Sequence, residues 1–134
     1  MSAIAAVFVA LYAGHQIGDF WAQTQRQANR KGLPGWAGRA ACASHVCTYT
    51  AAQLVALVAL FLVAGWWPNL WQMVAGLAVS AGTHYIADRR APLRWLADRL
   101  RKNAAWLEQG GGLLHLDQSW HIGWLFVAAL IIGG

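Results

Sequence analysis

Four long apolar stretches dominate the hydrophobic pattern of the chain, and more polar connections separate them. They cover roughly residues 2–23, 39–65, 69–88 and 113–134. Each is about as long as the ~20 residues that a helix needs to cross the ~30 Å hydrocarbon layer of a membrane. The pattern therefore predicts an all-α fold, a four-helix transmembrane bundle that forms one integral membrane domain over 1–134.

The middle connection, Trp66-Trp67-Pro68-Asn69, is predicted to be a tight turn. Pro68 cannot continue a helix but suits the start of the next one, and the tryptophans suit a membrane interface. The chain therefore divides into two helical hairpins, 1–65 and 69–134. Each hairpin contains the pattern His-x-Ile-Gly/Ala-Asp, which indicates a parallel internal repeat about an axis along the membrane normal.

A shorter amphipathic segment lies in the connection between the third and fourth stretches. Over residues 92–107, apolar side chains recur at spacings of three and four, and most basic side chains lie off that face. The segment predicts one short helix in the headgroup region, with its basic residues facing anionic lipid. Nucleic-acid binding is the alternative for such a basic face, but no nucleic-acid-binding motif accompanies it, so nucleic acid is not an expected partner.

Composition and charge agree with a membrane protein. The chain is 58% hydrophobic and 11% charged, against about 25% charged residues in soluble domains. The first stretch lacks a basic leader region and a cleavage site, so we expect it to stay as a spanning helix. All ten basic residues lie in 26–39 and 89–102. The positive-inside rule then predicts a multi-pass membrane protein with both basic loops in the cytoplasm and both termini outside.

The ionisable groups at the ends of these apolar stretches are histidines and aspartates spaced four residues apart. The pairs are His15 with Asp19, His84 with Asp88, and Asp117 with His121. Residues four apart share a helix face. His45 lies at the same predicted membrane level as the three pairs. Because ionisable groups within spanning helices normally face the interior and mark function, the pattern predicts one shared polar centre.

A metal ion is the expected partner of this centre, because no Lys or Arg lies in the same helical segments and buried carboxylates need compensation. The candidate metal ligands are His15, Asp19, His45, His84, Asp88, Asp117 and His121. Zinc is the first expectation, with manganese, iron or magnesium as alternatives. The set is large enough for two ions, or for one ion with the remaining groups as base and supporting partners. A structural hydrogen-bond network is the alternative interpretation.

The order of these motifs resembles an uncharacterised family of small bacterial and phage membrane proteins, known as a domain of unknown function. The resemblance covers nearly the whole chain and rests on His15-x-x-x-Asp19, a basic residue near Lys31, His45-x-x-x-Tyr49, His84-x-x-x-Asp88 and Asp117-Gln118-x-x-His121. The His84–Pro92 segment is also similar to a segment of the bacterial inner-membrane metal-dependent hydrolases. The resemblance implies a four-helix membrane protein with a polar His/Asp centre and hydrolase activity.

Three classes of function follow from these observations. The first is a metal-dependent hydrolase acting at the cytoplasmic leaflet, with Asp19, Asp88 and Asp117 as candidate catalytic residues and an anionic or lipid-like substrate. The second is a non-enzymatic carrier or sensor of metal ions or protons, which the apolar outer halves of the helices oppose. The third is a structural membrane module that recruits a partner through its basic loops. Membrane lipids are expected partners, and a homo-oligomer is compatible with the sequence.

Overall fold

The computed structural model describes residues 2–134, and all regular structure in that part of the chain is helical. Helix α1 continues directly into a π-helical turn, Gly18–Ala22. The helices are α1 (Ala3–Ile17), α2 (Gln25–Arg30), α3 (Gly35–Ala64), α4 (Leu70–Asp88), α5 (Ala91–Arg99), α6 (Ala104–Glu108) and α7 (Gly112–Gly133). The predicted all-α class is therefore confirmed.

Local sequence signals explain where the long helices begin and end. The side chain of Asn69 caps α4 by accepting a hydrogen bond from the Trp71 N–H at 2.8 Å. Gly65 ends α3 in the left-handed conformation, with φ of 70°, where other residues are strained. Helix α3 begins earlier than the predicted residue 39, because Pro34 is extended and the helix starts directly after it.

The four long helices pack side by side, with α1 against α3 and α7, and α4 against α3 and α7. Gly14 lies against Gln53 and Gly18 against Tyr49, so α1 and α3 run antiparallel in close contact. The small-residue spacing of Gly14 and Gly18 allows this approach, because the backbone of α3 occupies the space that a side chain would need.

An apolar core fills the part of this assembly that is remote from the His/Asp pairs. It contains Val7, Leu11, Leu57, Phe61, Leu125, Ala128, Ala129 and Ile132. Large apolar side chains also cover the outer surface, where Leu62 is 68% exposed and Val63 90% exposed. An apolar interior combined with an apolar exterior is the arrangement expected of helices in contact with lipid.

Three segments are long and apolar enough to cross a membrane: Ala3–Ala22, Gly35–Ala64 and Gly112–Gly133. Helix α4 forms within the predicted third stretch, 69–88, but is less apolar because of residues such as Gln72, Thr83 and His84. Membrane association is thus supported by three candidate spans, and the predicted third span, 69–88, is not confirmed by its composition.

The prediction of a single amphipathic helix over 92–107 is wrong. Two short helices, α5 and α6, occupy this region and are separated at residues 100–103. Arg101 has a positive φ of 52°, which interrupts helical geometry. Asn103 then starts a new helix, because its side chain accepts a hydrogen bond from the Trp106 N–H at 3.0 Å. Leu93 and Ala97 of α5 are buried, whereas Leu100 is exposed.

Candidate metal centre

Four side chains from three separate segments meet at one end of the long helices. Asp19 comes from the π-helical turn, His45 from α3, and His84 and Asp88 from the last turns of α4. We call these residues the four-ligand cluster. The side chains of both histidines are fully buried, and those of Asp19 and Asp88 are 8% and 2% exposed. π-Helical turns are rare and are frequently found at functional sites.

Among the four inward-facing atoms of the cluster, the separations that involve an imidazole nitrogen are nearly equal, at 3.0–3.4 Å. His45 Nε2 lies 3.0 Å from His84 Nε2, 3.2 Å from Asp19 Oδ1 and 3.3 Å from Asp88 Oδ2. His84 Nε2 lies 3.4 Å from Asp19 Oδ1 and 3.2 Å from Asp88 Oδ2. A tetrahedral zinc with ligands at about 2.0–2.1 Å gives ligand–ligand separations of about 3.3 Å. The donor types of the cluster and these five separations therefore fit a metal site.

Each carboxylate of the cluster uses its second oxygen for a different partner. Asp19 Oδ2 lies 3.5 Å from His15 Nδ1. Asp88 Oδ1 forms an ion pair with Lys31 Nζ at 2.7 Å. The ion pair with Lys31 holds the carboxylate of Asp88 in place while its other oxygen faces the two imidazoles, as outer partners do around protein metal sites.

The ion pair with Lys31 corrects an inference made from the sequence. No cationic side chain was expected near the buried carboxylates, but Lys31 enters from the polar connection between α2 and α3. Arg89 holds that connection by donating hydrogen bonds to the carbonyl oxygens of Lys31 at 2.6 Å and Leu33 at 2.7 Å. Arg89 thus fixes the backbone of Lys31, and the Lys31 ammonium group is the counter-charge of Asp88.

Aromatic packing fixes the ring of His84. It stacks on the Tyr49 ring with a centroid separation of 3.8 Å and on the His121 ring at 4.2 Å. The Tyr49 hydroxyl also joins a closed set of hydrogen bonds of 2.9 Å each with Gln53 and Ser80, which we call the Tyr49 network. All three side chains are buried. The network satisfies their polar groups within the helical core and leaves His84 little freedom to rotate.

Asp117 and His121 form a separate pair beside the four-ligand cluster. His121 Nε2 lies 3.4 Å from Asp117 Oδ2. One ligand atom from each of Asp88, Asp117 and His121 can be chosen so that all three lie within 4.8 Å of one another. His15 Nε2 lies 3.3 Å from Gln118 Oε1, which joins the first predicted pair to α7. The structure thus brings all seven predicted ligands together, with three of them around the cluster rather than within it.

Several buried polar atoms of the site have no hydrogen-bond partner within residues 2–134. They include Asp19 Oδ1, Asp88 Oδ2 and His121 Nε2. Both carboxylate oxygens lie close to imidazole nitrogens, but without the directional geometry of a hydrogen bond. Buried polar atoms are normally satisfied, so oxygens and nitrogens that converge in this way fit the donor set of a divalent cation.

A cavity of about 300 Å³ opens directly beside the cluster. The π-helical turn, the end of α4 and the start of α7 form its walls, and Asp19, Asp88 and Asp117 all line it. Lys31 and Arg90 place cationic side chains at the same cavity. A cavity that combines acidic, basic and apolar walls therefore adjoins the carboxylates of the centre.

Sequence reasoning found the histidines and aspartates but missed most of the residues that hold them. Lys31 and Arg89 were noted as members of the two basic loops, and Lys31 also through the resemblance to a family, but neither was predicted to contact the site. No local sequence pattern predicts the contact of Lys31 with Asp88 or that of Arg89 with the Lys31 carbonyl, because both contacts join parts of the chain that are far apart in sequence. Gln53 and Ser80 gave a weak signal, as isolated polar residues within apolar stretches.

One protein family matches almost the whole chain. Its sequence profile, described as "Protein of unknown function (DUF3307)", matches residues 7–133, which include every residue of the site. No curated protein and no solved structure matches the chain. The interpretation of the site therefore rests on the geometry of its own residues.

Proposed function

Starting from the fact that the chain belongs to the DUF3307 family of proteins of unknown function, we propose that it is a membrane-embedded metal-dependent hydrolase. The four-ligand cluster binds one divalent metal, with zinc as the best match. The observation that carries this proposal is the set of five separations of 3.0–3.4 Å among two imidazole nitrogens and two carboxylate oxygens.

The membrane proposal includes α4 as a fourth span, which completes a four-helix transmembrane bundle. Its 19 residues rise about 28 Å, close to the ~30 Å of the hydrocarbon layer. Helix α4 packs against the candidate spans α3 and α7. Its Ser80, His84 and Asp88 are buried, so lipid would meet mainly its apolar residues.

In this proposal, the cluster and the residues around it have separate roles in ester hydrolysis. A metal bound by the cluster supplies Lewis acidity and activates water. Asp117 lines the cavity but lies outside the cluster, so its carboxylate accepts the proton of the attacking water. Gln118 Nε2 orients this carboxylate by donating a hydrogen bond to Asp117 Oδ2 at 3.2 Å. The water oxygen forms a bond to the ester carbon or phosphorus, the bond to the alcohol oxygen breaks, and the proton passes to that alcohol.

Two other functions are less well supported by the contacts. A carrier of metal ions or protons needs a polar path to the other face, but the Tyr49 network ends against the apolar core of Leu11, Leu57 and Phe61. A structural module that recruits a partner through basic loops has no need of a buried cluster with unpartnered oxygens. A hydrolytic centre uses both the cluster and the adjoining cavity.

Asp117→Asn tests the assignment of the base. We expect the variant to lose about 100-fold or more of the wild-type rate on chromogenic phosphate and carboxylate esters, because general base catalysis contributes about 10²- to 10⁴-fold. The metal content should stay unchanged, because Asp117 is outside the cluster. Rates would be measured with purified protein in nanodiscs, and metal by elemental analysis of the same samples.

Asp98→Asn is the matched control, since Asp98 is an exposed acid on α5. It should retain both the rate and the metal. A wild-type protein that hydrolyses no ester, or whose rate is the same with and without metal, would contradict the hydrolase proposal. An Asp117→Asn variant with the wild-type rate would remove Asp117 as the base.

We also propose that the protein lies in the bacterial inner membrane with both termini outside and both basic loops in the cytoplasm. The test is cysteine labelling in intact cells, after Cys42 and Cys47 have been replaced by alanine. Trp67→Cys, in the turn between α3 and α4, should react with a membrane-impermeant maleimide, and Asn29→Cys should react only after permeabilisation. Trp67 is preferable to Asn69, which caps α4. The reverse labelling pattern would overturn this orientation.

A further inference from the structure

We propose that the cavity beside the four-ligand cluster binds an amphiphilic phosphate ester, and that this is the substrate class of the site. The inference rests on the proposed metal centre and adds the recognition of the substrate. It is carried by the division of the cavity into a cationic part and an apolar part.

The cationic part is formed by Lys31 and Arg90, next to Asp88. Lys31 uses one of its three donors on Asp88 at 2.7 Å, which leaves two for a ligand. Arg90 has a positive φ of 61°, a rare conformation for a residue other than glycine. Gly32 makes room for this side chain, because a Cβ at Gly32 would lie 2.8 Å from Arg90 Cδ.

A third polar group points to the same cavity. Gln23 lines it, and the Gln23 Nε2 atom is buried without a hydrogen-bond partner within residues 2–134. A phosphoryl group has three oxygens and suits several converging donors, whereas a carboxylate has two. Together with the metal, Lys31, Arg90 and Gln23 match a phosphoryl group better than a carboxylate.

The charge balance makes binding of this anion depend on the metal. The cavity is lined by three carboxylates, from Asp19, Asp88 and Asp117, and by the two cations of Lys31 and Arg90. With neutral imidazoles the local charge is −3 + 2 = −1 without an ion, and a divalent metal changes it to +1. We therefore expect a phosphate anion to bind to the metal-loaded protein and not to the chelated protein.

The apolar part of the cavity is suited to a hydrocarbon chain. Phe20, Leu93, Leu113 and Leu114 line it. Phe20 is 59% exposed and Leu114 57% exposed, so the apolar wall continues from the cavity onto the outer surface of the protein. A chain that begins at the phosphate can thus pass between the π-helical turn and the start of α7 towards the lipid.

Binding of short alkyl phosphates tests the inference. Zinc-loaded protein in nanodiscs of neutral lipid would be titrated calorimetrically with inorganic, ethyl and hexyl phosphate, and protein-free nanodiscs would give the blank. Each methylene that becomes buried strengthens binding by about fourfold. We expect hexyl phosphate to bind at least about tenfold tighter than ethyl phosphate, and chelation of zinc to abolish binding of all three.

Variants test the cationic part and the apolar part of the cavity separately. Arg90→Gln should weaken all three phosphates about tenfold or more, whereas Arg39→Gln, at an exposed arginine of α3, should change none. Leu114→Ala should reduce the preference for hexyl over ethyl phosphate and leave inorganic phosphate unchanged. Leu62→Ala, at an exposed leucine remote from the cavity, is its control. None of these residues belongs to the four-ligand cluster, so zinc content should stay constant.

The outcomes distinguish this inference from the proposed function. The wild type would also be titrated with heptanoate, a carboxylate with a similar alkyl chain. If the wild type binds zinc but shows no preference for hexyl phosphate over ethyl phosphate, or binds heptanoate as tightly as hexyl phosphate, the substrate class is wrong and the metal centre stands. If the wild type binds no zinc, the proposed function fails and the inference fails with it. Weaker binding of all three phosphates by Arg90→Gln, together with a preference for hexyl phosphate that Leu114→Ala reduces, would establish both the cationic and the apolar part of the cavity.

Discussion

Asp19→Asn is expected to lower zinc affinity more than about 100-fold and to remove the stabilisation that zinc gives. Removal of a supporting group alone typically costs 10- to 100-fold in metal affinity, and Asp19 supplies a ligand oxygen. Asparagine keeps the shape of the side chain but lacks the negative charge. Asp19 takes no part in the Lys31–Asp88 ion pair, so we expect that ion pair to stay intact and the variant to test metal binding separately from it.

Thermal unfolding with and without zinc provides the measurement. At a free zinc concentration a thousand times its dissociation constant, the wild type gains about 4 kcal/mol of stability. A chelator should therefore lower the wild-type melting temperature and leave that of the Asp19→Asn/Asp88→Asn double variant nearly unchanged. Asp98→Asn should respond to zinc like the wild type. A wild type that binds no stoichiometric metal and melts independently of chelator would end the metal hypothesis.

Gly14→Ala is expected to destabilise the protein by about 3 kcal/mol, at the upper end of the range for overpacking. An added Cβ would lie 2.6 Å from Gln53 Cα and 2.9 Å from Gln53 N. These are backbone atoms of α3, so no side-chain rotation can relieve the contact. Because α1 leads into the turn that carries Asp19, the displacement should also weaken zinc binding.

Gly82→Ala is the matched control for Gly14→Ala. Gly82 also lies within a long helix, but a Cβ there meets no atom within 4 Å. Alanine should leave stability unchanged or raise it by up to about 1 kcal/mol, as expected for glycine replacement within a helix. Melting temperatures of the two variants in the same detergent give the comparison. Equal effects of both substitutions would contradict the close contact between α1 and α3.

The two His-x-x-x-Asp patterns look equivalent in sequence but take different positions in the structure. His84 Nε2 faces both carboxylates of the cluster, whereas His15 contacts the second oxygen of Asp19 and Gln118 of α7. Asp19 lies in a π-helical turn and Asp88 in a regular α-helix. Helical spacing predicts which residues share a face, but it does not predict how far that face is rotated towards each neighbour.

The sequence by itself determined the helical class and the apolar length of three candidate spans, and it identified the histidines and aspartates of the site; its prediction of a fourth span over 69–88 is not confirmed. These properties depend on local periodicity and apolar length, which short segments express independently of their neighbours. Only the tertiary structure decided that Asp19, His45, His84 and Asp88 form the cluster and that Lys31 neutralises Asp88. It also decided where the helix predicted over 92–107 breaks. Contacts between distant segments depend on helix rotation and on close packing such as that of Gly14 on Gln53, and no local pattern encodes these.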